Sequence, residues 1–93
     1  DDIDQVYRDL AVVQIAMNSA TQSNAKDLIA QLEPIAVPEN AWYYSAREMI
    51  ALLHVAAGDV AAAKPLLTDI ADDGDAPSGM RARASEILKA VGA

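Results

Sequence analysis

Apolar residues recur every three or four positions along almost the whole chain, and short polar, proline or glycine breaks divide the pattern into five pieces. That period places side chains on one face of an α-helix, whereas a half-buried strand needs strict alternation. The composition points the same way. Alanine supplies much of the apolar content and phenylalanine is absent, a mixture that favours helices able to approach one another closely. With no cysteine, neither a disulfide nor a thiolate metal site can staple the fold. Packing must hold together a 93-residue chain whose core is necessarily thin. The expectation is one all-α domain over residues 1–93, since no linker long enough to separate two domains is present.

Ile3, Val6, Tyr7, Leu10, Val13 and Met17 form the inward stripe expected of a first helix over 3–18, with Asp2 and Gln5 spaced for a capping box. The polar run from Asn18 to Asn24 should end it. A second helix is expected over 25–36, with Leu28, Ile29 and Leu32 inward and Pro34 distorting its last turn. Pro38 and Asn40 open a third over 39–57, facing inward with Tyr43, Ala46, Met49, Ile50 and Leu53. Gly58 suits a left-handed cap and Asp59 the next N-cap. The fourth helix, 60–71, carries Val60, Ala63, Leu66, Leu67 and Ile70 inward, with a kink expected at Pro65. After Asp72–Asp75, a fifth runs over 77–91 with Met80, Ala84, Ile87, Leu88 and Val91 inward.

Parts of these segments repeat. Ala25-Lys26-Asp27-Leu28-Ile29 aligns with Ala63-Lys64-Pro65-Leu66-Leu67, Leu10-Ala11 with Ile50-Ala51, Ala16 with Ala56, and Pro38 with Pro77. Two helical hairpins followed by a terminal capping helix would satisfy this pattern, each hairpin burying its apolar face against a neighbour.

Met49-Ile50-Ala51 through Ala57-Gly58-Asp59, then Ala63 and Leu67, resembles a tetratricopeptide repeat. Ala51 and Ala63 fit its small-opposite-small requirement and Gly58 its turn, while Arg47 stands where an aromatic is wanted. Tyr7-Arg8-Asp9-Leu10-Ala11, Ala41-Trp42-Tyr43-Tyr44-Ser45-Ala46-Arg47-Glu48, Ala57-Gly58-Asp59 and Ala76-Pro77-Ser78-Gly79-Met80-Arg81-Ala82-Arg83-Ala84 are similar to the C-terminal part of the YfgM-type ancillary Sec translocon proteins. The resemblance implies a right-handed α-solenoid fragment of two tetratricopeptide-like repeats. It also implies a periplasmic domain of a membrane-anchored bacterial protein, with the Sec translocon, envelope chaperones or emerging substrates as partners. The chain opens on Asp1 rather than methionine, so a piece of a longer protein is expected, and its compartment does not follow from these residues.

A net charge of −7, from 14 acidic against 7 basic residues, disfavours nucleic acid and anionic membrane surfaces. Enzyme chemistry has little to stand on, and no catalytic residue, cofactor or metal is expected. His54 is the only histidine and has no accompanying nucleophile or ligand motif. Asp69–Asp75 fails as a calcium loop, because Ala71 and Met80 occupy ligand positions. Glu33, Glu39 and Glu48 are not brought together by any pattern, and Arg47, Glu48, Arg81 and Arg83 read as solvated charges.

A protein or peptide partner is the expectation that remains. Val12, Ile15, Leu52 and Val55 form a narrow apolar strip, with Arg8 and Glu48 at one end, that is either a groove or wide core. Trp42 and Tyr44 belong to an aromatic run with Tyr43, of which at least one ring should be exposed. The expected function is a non-catalytic protein–protein interaction module, with a self-association module or a structural spacer as the alternative.

Overall fold

The breaks after the second, third and fourth apolar segments each hold a proline, which lacks a backbone donor, or an Asn or Asp whose side chain takes one. In the computed structural model, which describes residues 2–19 and 23–92, five helices result: α1 (Asp2–Ser19), α2 (Ala25–Leu32), α3 (Tyr43–Ala56), α4 (Val60–Ala71) and α5 (Ser78–Ala90). No strand occurs among the described residues. The expected Asp2 capping box rests on a side chain outside the described residues, as do positions 20–22 of the first break.

Two expected boundaries need correction. α2 stops at Leu32, four residues before the expected end. Pro34 has no N–H to return to the helix, and the amides of Ile35 and Ala36 both turn back to the Leu32 carbonyl, at 2.9 and 3.1 Å. This tighter turn tucks Ile35 into the core. α3 starts at Tyr43 rather than residue 39. The Asn40 side-chain oxygen accepts the Trp42 amide at 2.8 Å, and its backbone oxygen accepts that of Tyr43 at 3.1 Å. Asn40 thus forms a local turn in place of a first helical turn.

The cap signals between α3 and α4 act as expected. Gly58 adopts φ +82°, and the amides of Gly58 and Asp59 donate to Val55 and His54 across a Schellman closure. The Asp59 carboxylate then accepts the Ala62 amide at 3.1 Å and caps α4. α4 continues through Pro65, whose position is exposed.

Consecutive helices pack on one another, and α1 also meets α3. A first apolar cluster joins Val13 and Ala16 of α1 to α2, Ile35 and the Ala46–Ile50–Leu53 face of α3. A second joins Ala51 of α3 to Ala63, Leu67 and Ile70 of α4 and Ala84 of α5, and Leu66 packs against both. Alanines occupy the tightest points: Ala16, Ala25, Ala46, Ala51 and Ala63 are completely buried. The Cα extents of 43 × 33 × 17 Å describe a slab, so much side-chain surface stays near water.

α1 departs most from expectation. Of its supposed inward stripe, only Val13 is buried, and Ile3, Tyr7 and Met17 point outward. The helix docks instead through Asp9, Val13 and Ala16. Asp9 accepts hydrogen bonds from Gln5 at 2.7 Å and from Asn40 at 2.8 Å. The Trp42 indole N–H donates to the Val6 carbonyl at 2.8 Å. These polar ties from the loop before α3 set the roll of α1, a constraint that apolar spacing does not reveal.

Candidate functional site

The expected apolar strip is divided by the structure. On α1, Val12 packs at the edge of the first core cluster, whereas Ile15 and Arg8 are exposed. The Arg8 guanidinium donates locally to Gln5 at 3.0 Å. On α3, Val55 packs against the second cluster and Leu52 is half-buried. Glu48 accepts two hydrogen bonds from Arg83 of α5, at 2.7 and 3.0 Å. The α3 half of the strip therefore faces α5. Glu48 and Arg83, expected as solvated charges, form a bidentate pair that fastens α5 to α3.

Arg47 is likewise an anchor rather than a solvated charge. It donates to Asp73 in the α4–α5 turn at 2.8 Å, and its guanidinium carbon lies 4.8 Å from the Tyr43 ring centre and 5.9 Å from that of Tyr44. The two rings are 5.0 Å apart and tilted. A cation over aromatic faces and bonded to a carboxylate is constrained on every side. The Arg47 hydrogen bond, followed by the Asp75 amide, holds the Asp73 carboxyl below its ordinary range. Partial desolvation and the nearby carboxylates of Asp73 and Asp75 hold the Tyr44 phenol above its ordinary value. Tyr44 is thus part of this cluster and only partly open, while Trp42 is committed to α1 through its indole hydrogen bond.

Two open surfaces stand out among the described residues. The first is the outer face of α1. Ile3 and Tyr7 are about two-thirds exposed (65% and 67%). Together with Val6, Leu10 and the face of Trp42 they line an apolar concavity of about 530 Å³. Ile15 and Met17 extend apolar exposure toward the other end of the helix. The spacing that predicted burial is therefore real, but among the described residues nothing covers it.

The second is a cleft of about 420 Å³ across α3. Tyr43, Arg47, Ile50 and His54, spaced four, three and four residues apart, fall on one stripe of the helix and form its floor. Glu33 and Ala36, from the turn after α2, stand on one side, and Leu66, Asp69 and Ile70 of α4 on the other. His54, which no nucleophile or ligand motif accompanies in the sequence, is half-buried here. Sequence patterns missed the pairing of Glu33 with Asp69 around one cleft, because it depends on the early stop of α2. The available signal was the regular Tyr43–Arg47–Ile50–His54 stripe. Among the described residues, no group of three or more histidine or acidic side chains is placed to hold a metal ion.

Comparison with family models, with curated proteins and with solved structures gave no match.

Proposed function

We propose that this chain is a non-catalytic protein–protein interaction module. On this reading it is the tetratricopeptide-like C-terminal domain of a membrane-anchored bacterial envelope protein. The observation that carries the interaction reading is the outer face of α1, where Ile3, Val6, Tyr7, Leu10 and Trp42 make a concave apolar surface. Large apolar side chains gathered on one helix face, instead of scattered singly, are characteristic of a surface that meets another protein. Its tryptophan is already rigid, held by a backbone carbonyl, so little side-chain entropy would be lost on docking.

The repeat assignment is supported by Ala51 and Ala63, completely buried in one cluster at the α3–α4 hairpin, and by the Gly58 closure between those helices. By resemblance, the Sec translocon, envelope chaperones or emerging substrates are the partners to test.

The same α1 face also favours self-association as a second reading, with two copies covering each other's apolar concavity. Capture from membrane extract by the wild-type domain and by Ile3→Glu/Tyr7→Glu, both verified as folded by circular dichroism, separates the outcomes. A partner retained by the wild type and lost by the variant is expected. Equal retention by both would refute the α1 face as the binding surface. A sedimentation mass that doubles with concentration, and does so only in the wild type, would select the second reading. Leu52→Glu/Val55→Glu is a poor test, because Val55 packs against the second core cluster.

A further inference from the structure

The cleft across α3 is separate from the α1 face and differs from it in chemistry. Leu66 of the α4 wall and Ala36 on the opposite side present its aliphatic surface, with Ile50 and Ile70 buried beneath, while Glu33 and Asp69 supply carboxylates from opposite sides. The Arg47 charge does not offset them, because Asp73 already pairs with it at 2.8 Å. No described side chain pairs with Glu33 or Asp69, and both are exposed. Asp72 and Asp75 add exposed negative charge in the turn that follows α4. The whole chain carries −7.

From this arrangement we infer that the α2–α3–α4 cleft is a docking groove for a protein segment that presents a lysine or arginine beside aliphatic side chains. An acidic segment would be repelled by both rims. A purely aliphatic one would desolvate Glu33 and Asp69 without replacing their water contacts. A basic side chain meets both requirements, because its methylene stem lies along apolar surface while its charged end reaches the carboxylates. The volume of about 420 Å³ falls within the range of about 300–1,000 Å³ usual for a bound ligand. Charges at an open rim govern selection and association rate more than affinity, so the groove discriminates by sign and responds to salt. The inference rests on reading the chain as an interaction module, but it does not depend on the α1 face.

The test uses an acetylated, amidated leucine–lysine peptide, its leucine–glutamate counterpart and oligolysine, each titrated into the isotope-labelled chain and followed by amide NMR. The leucine–lysine peptide is expected to shift Glu33, Ile50, His54 and Asp69, with weaker binding at high salt. The leucine–glutamate peptide should leave them in place, and oligolysine should bind more weakly because it lacks the aliphatic contacts. Glu33→Gln/Asp69→Asn should weaken the leucine–lysine peptide about tenfold, the loss expected from two exposed ion pairs. Asp4→Asn/Glu86→Gln, which removes the same charge elsewhere, should change it less than about twofold on the same reasoning. Shifts spread over the acidic surface, equal losses in the two charge variants, or no shift at all would overturn the inference. Ile3→Glu/Tyr7→Glu separates the two sites. If it abolishes capture of a partner but keeps the peptide, both readings stand. Capture that depends on the α1 face, with no peptide binding by the wild type, defeats the cleft alone.

Discussion

Arg47 shows how a few charged residues fix this small fold. It ties α3 to the α4–α5 turn through Asp73, while Glu48, its neighbour in sequence, ties the next face of α3 to Arg83 of α5. Asp73 gives this a pH signature. Its carboxyl titrates below the ordinary 3.8 in the folded chain, so the unfolded chain takes up the proton more readily. The contribution is complete above that ordinary value and is lost as pH falls through the lower folded value. Urea midpoints of wild type and Asp73→Asn should therefore differ near neutral pH and converge in acid below the ordinary carboxylate range. A difference that persists unchanged in acid would assign the effect to something other than this carboxylate. Neither ion pair was legible in the sequence, because the partners lie far apart along the chain and neither falls on one helix at a three- or four-residue spacing. Asp9 was missed for the same reason: its partner Asn40 belongs to a turn formed only after α2 has stopped early.

At the scale of elements, the period was sufficient to find all five helices and most of the buried faces. Ala25, Leu28, Ile29 and Leu32 of α2 match Ala63, Leu66, Leu67 and Ile70 of α4 in order, and all but the half-buried Leu66 are buried. The alignment of these positions thus has a packing counterpart. The alignment of Ala16 with Ala56 has none, since Ala16 is buried and Ala56 exposed. The ends of α2 and α3 escaped the period because they depend on which carbonyl each loop amide chooses. Two substitutions separate backbone from packing at the α3–α4 hairpin. Gly58→Ala meets no atom within 4 Å of the new Cβ, so only the left-handed backbone is penalised, by about 1–2 kcal/mol. Ala63→Leu forces a larger side chain into a completely buried site and should cost about 1–3 kcal/mol. Urea denaturation measures both. A neutral Ala63→Leu would mean that the α3–α4 contact is looser than the buried alanines indicate.

For the molecule as a whole, the slab of five helices leaves two chemically distinct surfaces, one apolar on α1 and one acidic-rimmed across α3. None of its helices, over the described residues, is long and apolar enough to cross a membrane. The anticipated strip of Val12, Ile15, Leu52 and Val55 was a sound reading of helical spacing, but the spacing cannot say which side a terminal helix covers. α5 takes the α3 half through Arg83 and Ala84. α1, rolled by the ties from Asn40 and Trp42, turns Ile3 and Tyr7 outward. Trp42 was legible as a candidate because three successive aromatics cannot all be buried on one helix face. Its role as the floor of a concavity depended on the Val6 carbonyl, which no sequence pattern marks.

Site-specific photo-crosslinking in cells tests the central claim most directly, with the photoreactive group placed in turn at Tyr7 and at Glu86, an exposed residue of α5. An interaction module that uses the α1 face should give a discrete protein adduct from position 7 and none from position 86. Equal labelling at both positions, or no adduct from position 7 in the folded protein, would contradict it.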